Sequence, residues 1–291
     1  MRGVWLGVLV CAGSAWGMGY WMNSAPGTPS KGELPALLDE EQESAARIEG
    51  WVEALHGQPV SGQLDELESG LRRARVDARR EAGWLEVTVG GTGRARENLL
   101  LAVLLRPEES SGAAVLAETA RLSSKAHLDY TVRCYWIAAP AGVEQIEQSL
   151  GARNEGIRGW LVLGRLSRFP ERGATQHWPW FAASFQEPRA DTVLFESGIG
   201  SRGWLETLVG EFRLRSKQPS AALSAPESWL SPGETAWIRS SHAHAHVSDS
   251  GAWRGSQPEE PGRMDAPAMA RIAHGLSASA AALARRNRLK L

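Results

Sequence analysis

The residue types that do chemistry are sparse in this chain, and their densest group is Ser241-His242-Ala243-His244-Ala245-His246-Val247-Ser248-Asp249. Alternate residues of an extended chain project to one side, and neutral imidazole is the commonest ligand for zinc, nickel or copper. His242, His244 and His246 are therefore the candidate metal ligands. Short histidine tracts in flexible tails also bind metal weakly and incidentally, and here no cysteine or orienting partner accompanies them in sequence. Beyond that tract the sequence implies no cofactor.

The remaining candidates read as structure. His56, His127 and His177 fall near predicted strand ends, where single histidines are hydrogen-bonded structural residues. Gly90-Gly91-Thr92-Gly93-Arg94 resembles a phosphate cradle but lacks the lysine and following helix of a P-loop, so it reads as a hairpin turn. Glu144 and Glu147 share one face of a short predicted helix and suit solvated surface. Arg72, Arg73, Arg75, Arg79 and Arg80 form the densest basic cluster, which suits a solvated helix end or, near a bilayer, anionic headgroups or wall polymers. No serine sits in a nucleophile elbow and no HExxH is present. No catalytic residue is expected, and the chain reads as non-enzymatic.

The totals narrow the partners. A formal net charge of -1 and a pI near 6.7 give no electrostatic footprint for nucleic acid. Tryptophan is over-represented, with 13 copies against three tyrosines, and the alternating runs that carry it suit half-buried strands. Cys11 lies in the N-terminal apolar segment and Cys134 in a predicted strand, so a disulfide framework is excluded and Cys134 reads as a buried free thiol.

Arg2 is followed by the uncharged run Gly3 to Met22. Twenty helical residues span about 30 Å, enough to cross a bilayer's hydrocarbon core. One positive charge ahead of the run, with none after it until Lys31, predicts that the following chain is exported. Residues 1–22 thus read as a signal peptide or a signal-anchor helix. The protein is expected outside the cytoplasm, held to the membrane through residues 3–22 or secreted after cleavage, with an envelope protein or polymer as partner.

The elements that would position these groups follow in order. Residues 23–43 read as a linker and short helix. Arg47 to Leu55 partly alternates and predicts a strand. Leu64, Leu67 and Leu71 recur at helical spacing. Gly83 to Gly90 and Asn98 to Leu105 read as strands, the second apolar enough to be covered on both faces. Gly112 to Ser123 predicts a helix. His127 to Ala138 (strand), Val143 to Leu150 (helix), Ile157 to Phe169, Thr175 to Phe185 and Thr192 to Glu196 (strands), and Ser201 to Arg215 (helix) follow.

Gly83-Trp84-Leu85 returns as Gly159-Trp160-Leu161, so the chain reads as a duplicated unit with repeats at 44–125 and 126–215. Short glycine-rich connections leave no room for long crossovers. The predicted class is α+β, two related halves with antiparallel sheet. Residues 216–291 are rich in proline, serine, alanine and glycine and read as a mostly disordered tail, with an isolated alanine-rich helix near its end.

Placed in this order, the segments resemble the YwmB family of exported bacterial proteins. The resemblance rests on Ile48-Glu49-Gly50-Trp51, the run from Trp84 to Leu105, Tyr130 to Cys134, the Gly159-Trp160-Leu161 strand and a closing strand to Ile199. It spans about residues 44 to 200 and implies a duplicated, saddle-like fold named after the TATA-box-binding protein. It implies no catalytic residues. The function expected from it is non-enzymatic binding in the cell envelope, with metal binding through the histidine tract as the alternative and DNA binding ranked last.

Overall fold

A computed structural model describes residues 16–31, 33–169, 175–230, 240–251 and 259–285. Hydrophobic spacing accounts for the first helices. Residues 16–23 are helical (α1). α2 (Asp39–Leu55) buries Ile48, Val52 and Leu55 on one stripe and carries Asp39, Glu40 and Glu41 in its first turn, where acids complement the helix dipole. The strand expected at Arg47 to Leu55 is thus the second half of a helix. Its partial alternation came from glutamates that fall on the solvent side of a period of 3.6. α3 (Val60–Arg73) buries Leu64, Leu67 and Leu71 as their spacing predicts.

The sheet follows in three stages. β1 (Ala78–Glu81), β2 (Trp84–Val89) and β3 (Arg94–Leu104) precede α4 (Ser111–Ser123). β4 (Tyr130–Ile137), α5 (Ala141–Ala152), β5 (Gly156–Leu163) and β6 (Val193–Gly198) lead to α6 (Arg202–Arg215). β7 (Ser220–Ala225), β8 (His244–Ser248) and α7 (Ala266–Leu283) complete the described elements.

All eight strands lie in one mixed sheet, in the order β1-β2-β4-β3-β5-β8-β6-β7. β3 runs parallel to β4 and β5, β5 is parallel to β8, and β6 is parallel to β7. β1, β2 and β4 pair antiparallel in succession, as do β6 and β8. The expected two antiparallel halves are therefore corrected to a single α/β sheet. α4 and α5 supply the long crossovers, and Leu99 to Val103 of β3 is buried, as a central parallel strand requires. The Gly90 to Gly93 turn is not a hairpin. It carries the chain over the start of β4, with Thr92 N donating to Leu128 O and Arg94 N to Asp129 O.

Nor are the two tryptophan strands equivalent. Trp84 opens β2 opposite Ile137, in an antiparallel pair. Trp160 lies in β5 between Leu100 and His244, with parallel neighbours on both sides. The sequence echo is local, and no duplication underlies it.

One face of the sheet is covered by α2, α3, α4, α6 and α7 around a single apolar core. The other carries α5 over Leu100, Tyr135 and Trp160, and beside it a smaller cluster of Met22, Trp178, Phe181, Leu194 and Leu223. The segment beyond 216 is part of both layers: β7 and β8 are buried strands and α7 packs on α2, α4 and α6. Its small residues read as low complexity, but in α7 they permit close helix packing and in β7 they are all buried. The segment expected as a strand at Thr175 to Phe185 forms turns apart from an isolated bridge of Thr175 to Arg189.

Candidate functional site

β3, β5 and β8 run parallel, so their carboxyl ends share one edge of the sheet. Ligands of open α/β sheets sit in the crevice outside that edge. Here the edge receives the turn after β3, the segment after β5, the segment after β8, and the amino end of α4. Gly112 in the first turn of α4 is required by contact: a Cβ there would lie 2.4 Å from Gly164 O. Helix and strand thereby meet closely, and a cavity of about 20 Å³ remains, lined in part by Arg106, Glu109, Leu163 and His246. That is room for a single water-sized group.

Arg106 and Glu109 form the polar wall of this cavity. The turn holding them is clamped by Gln63 of α3, whose Nε2 donates to Arg106 O at 2.9 Å and to Leu55 O at 3.1 Å. Arg106 NH1 lies 3.4 Å from Glu109 Oε2, and the two side chains keep 33% and 27% exposure, so solvent reaches both. Burial is the largest influence on Glu109 and raises its carboxyl above the ordinary 4.5. Arg106 opposes that rise, and nearby Glu259 adds to it.

His246 forms another wall. It is buried in β8, with Nδ1 4.0 Å from Glu196 Oε2 of β6. Burial, with Arg106 and His244 close by, pushes its pKa down to about 3, so the ring is neutral at ordinary pH. Behind this wall the crevice is filled by the protein's own polar groups. Asp249 Oδ2 lies 3.5 Å from Arg165 Nε and accepts from Arg168 N at 2.9 Å. Glu259, buried, accepts from Ser110 N at 2.6 Å and Ser111 N at 3.1 Å, and from Ser111 Oγ, whose oxygen also accepts from Leu166 N. A carboxylate thus caps the amino end of α4 from a distant part of the chain.

Of the histidines singled out by sequence, His244 and His246 lie in β8 and His242 just ahead of it. His244 and His246 fall on the same side of the strand, as their spacing predicts. His244 is only half buried, and its Nδ1 lies 3.3 Å from the carbonyl of half-buried His242. Among the described residues, no group of three or more His, Cys, Asp or Glu is arranged to hold a metal ion. His56 is half buried, and His127 and His177 are exposed.

Glu147 is a structural acceptor for Trp160 Nε1 and Ser240 Oγ. Four of the five arginines of the cluster are paired, as Arg72–Glu68, Arg73–Glu66, Arg79–Glu81 and Arg80–Asp65. A larger groove of about 430 Å³ between α2, α3 and α4 is lined by Arg47, Arg73 and Arg121, each already paired with a glutamate. Cys134 is a buried free thiol with its pKa pushed up to about 12 by burial.

Sequence reasoning passed over Arg106, Glu109, Arg165, Glu196, Asp249 and Glu259. One signal was present. A strand apolar on both faces, then Arg106-Pro107-Glu108-Glu109, then a helix, is the pattern of a βα unit with polar groups at its ligand edge.

The α/β sheet superposes on solved structures of peptidases and of a glutaminyl cyclase. The Legionella pneumophila LapA aminopeptidase superposes with a TM-score of 0.54 at 12% identity, over 86% of this chain and 71% of that one. The glutaminyl cyclase of Fimbriiglobus ruber gives 0.54 at 9% identity, over 88% and 98%. The Bacillus subtilis YXEP protein, described as a dinuclear metal binding peptidase of the M20 family, gives 0.53 at 11% identity, over 84% and 99%. No protein-family model matches the sequence, and no curated protein matches it.

These likenesses establish the fold. They overturn the YwmB resemblance, because the matched strands belong to one mixed sheet and not to a saddle of two halves. With it goes the support for the DNA-binding reading and for the reading as a non-enzymatic envelope protein, and the solved structures that share the fold are of peptidases and a glutaminyl cyclase. The histidine tract, expected in a flexible tail, instead enters a sheet strand at His244. The described residues also do not fit the pair of metals ascribed to the YXEP protein, since His246 and Glu196 are the only imidazole–carboxylate pair described at this wall and both are buried.

Proposed function

We propose that this chain has a peptidase-like function and acts on peptide or aminoacyl substrates at the carboxyl edge of β3 and β5, with Glu109 as the acid–base group. The observation that carries the reading is the placement of Glu109. It is a carboxyl raised by burial, beside a solvent-reachable guanidinium, at the ligand edge of a sheet shared with peptidases. In this reading Glu109 takes a proton from attacking water, and Arg106 faces the negative charge that develops on the substrate carbonyl. Neutral His246 and the Glu259 cap keep the surrounding edge rigid. We also propose, from the uncharged run at residues 3–22, that the site works outside the cytoplasm.

Hydrolysis of a panel of aminoacyl and dipeptidyl 4-nitroanilides by the full chain tests the reading. Turnover should rise with pH through a midpoint above the ordinary carboxylate value. Glu109→Gln should lose about a hundredfold or more, the usual contribution of a positioned acid–base group. A Glu109→Gln protein as active as the parent would overturn the assignment, and an inert parent across the panel would overturn the substrate class.

A further inference from the structure

Six large aromatic and apolar side chains that ought to be buried are exposed together on one side of the molecule. Trp16, Met18, Tyr20 and Trp21 of α1 keep 41 to 65% of their surface, and Trp180 keeps 78% and Trp229 39%. They come from three separate parts of the chain. Trp16 stacks on Tyr20 and lies 5.3 Å from the Phe185 ring, and Trp180 lies 5.5 Å from Trp229, with Phe181 touching both.

The patch is held firmly. Asn23 Nδ2 donates to Phe181 O at 2.9 Å, and Gln186 Nε2 donates to Asn23 O at 3.1 Å. Gly19 lets α1 lie against Phe185, since a Cβ there would fall 2.6 Å from that ring. Met22, Trp178 and Phe181 then pin the patch onto β6 and β7 through Leu194 and Leu223. An apolar area this rigid and this exposed marks an interaction surface and not a loose end.

We infer that this aromatic face lies in the headgroup layer of a lipid bilayer, so that Trp180 and Trp229 meet the membrane together with α1. Two features select lipid over another partner. The exposed residues are mainly tryptophan and tyrosine, whose rings combine an apolar body with a polar edge and collect at membrane–water interfaces. The sequence leading into the patch, Gly3 to Ala15, carries no charge, so the chain ahead of Trp16 is compatible with hydrocarbon. Among the described residues no helix is long and apolar enough to cross a membrane. Trp180 and Trp229 belong to the folded body whether or not residues 1–22 stay attached, so the inference is tested on them.

The test uses the full chain and unilamellar phosphatidylcholine vesicles, with and without bromine on the acyl chains. The double variant W180F/W229F keeps the apolar area and removes two fluorophores, so the emission difference from the parent isolates Trp180 and Trp229. The protein should sediment with the vesicles, and that difference emission should shift to the blue and be quenched by the brominated lipid. Equal difference emission in both lipids would overturn the inference even if the chain sediments through residues 3–22, because it would leave Trp180 and Trp229 in water. Failure to sediment would overturn it too, as would a lipid-free dimer that already shields these two residues from iodide. Matching far-ultraviolet circular dichroism of parent and variant shows that the fold is unchanged.

Discussion

Glu109 and Glu118 belong to the same βα unit, one just ahead of α4 and the other within it, yet their surroundings drive them in opposite directions. Glu118 is fully buried between α2, α4 and α7. Arg121 and Arg47 both donate to it, Ser44 Oγ lies 2.5 Å away, and that hydroxyl also meets His274 Nε2 at 2.9 Å. Burial alone would raise its carboxyl, but hydrogen bonds from Arg121, Arg47 and Ser44 outweigh it and hold the group below 4.5. Glu109 has one cation at the limit of hydrogen-bonding distance, a second carboxylate nearby, and a raised pKa. Complete pairing marks a structural anchor, whereas incomplete pairing at a ligand edge marks a group poised to exchange a proton.

The largest way to break this contrast is Glu118→Ala. It takes the carboxylate from Arg121 and leaves Arg47 only the longer contact to Glu43, and should cost about 3 kcal/mol, at the lower end for breaking a buried ion pair because Arg47 can rehydrate. Urea unfolding followed by circular dichroism measures it. The pH dependence has a definite sign. A folded pKa below the ordinary value contributes stability that is present above pH 4.5 and lost as pH falls through the folded value. Glu118→Gln should therefore unfold with a weaker acid dependence than the parent, and an unchanged acid limb would mean the pairing carries no net stability.

A smaller effect is expected at a third carboxylate, Glu259, which reaches α4 from a distant part of the chain. Glu259→Ala removes the acceptor for Ser110 N, Ser111 N and Ser111 Oγ, leaving buried donors at the amino end of α4. The cost should be about 2 kcal/mol, the upper range for a lost helix cap, while Glu259→Gln should lose less because its amide oxygen still accepts. Denaturant midpoints of the two variants distinguish them. Equal losses would show that charge, and not hydrogen bonding, is what the helix end requires.

The contrast also explains what could be read from the sequence. Elements with a strong apolar period were legible: Leu64, Leu67 and Leu71 of α3, the covered run of β3, and Trp204, Leu205, Leu208, Val209 and Phe212 of α6 are all buried. Sheet direction was not legible, because Gly90 to Gly93 looks like a hairpin and instead hops over β4. β7 was missed, and α7 was read as an isolated helix, because serine and alanine carry little hydrophobic signal, though both pack tightly in the folded chain. The site was the least legible part. Arg106 and Glu109 lie far in sequence from Glu196, His246, Asp249 and Glu259, and no local spacing unites them before the parallel strands bring their ends together. His246 was noticed for the right reason, its alternation, but the strand turns it inward toward Glu196.

The finest test of the comparison is the stability of Glu109→Gln, which should be small and of opposite sign. A carboxyl whose folded pKa is raised contributes stability that is complete below the unfolded value and is lost as pH rises through the folded one. Above pH 4.5 the parent therefore carries a penalty that Glu109→Gln does not. Arg106 and partial exposure moderate that penalty, so the variant should be more stable at pH 7 by only about 0.5 kcal/mol, within the range of screened surface charges. Below pH 4 the two proteins should coincide. Glu259→Gln provides the control, because Glu259 contributes to the rise at Glu109: with that charge gone, the gain from Glu109→Gln should shrink. A Glu109→Gln protein less stable than the parent at pH 7 would place Glu109 with Glu118 as an anchor, and would remove the reason for assigning it the proton-transfer role.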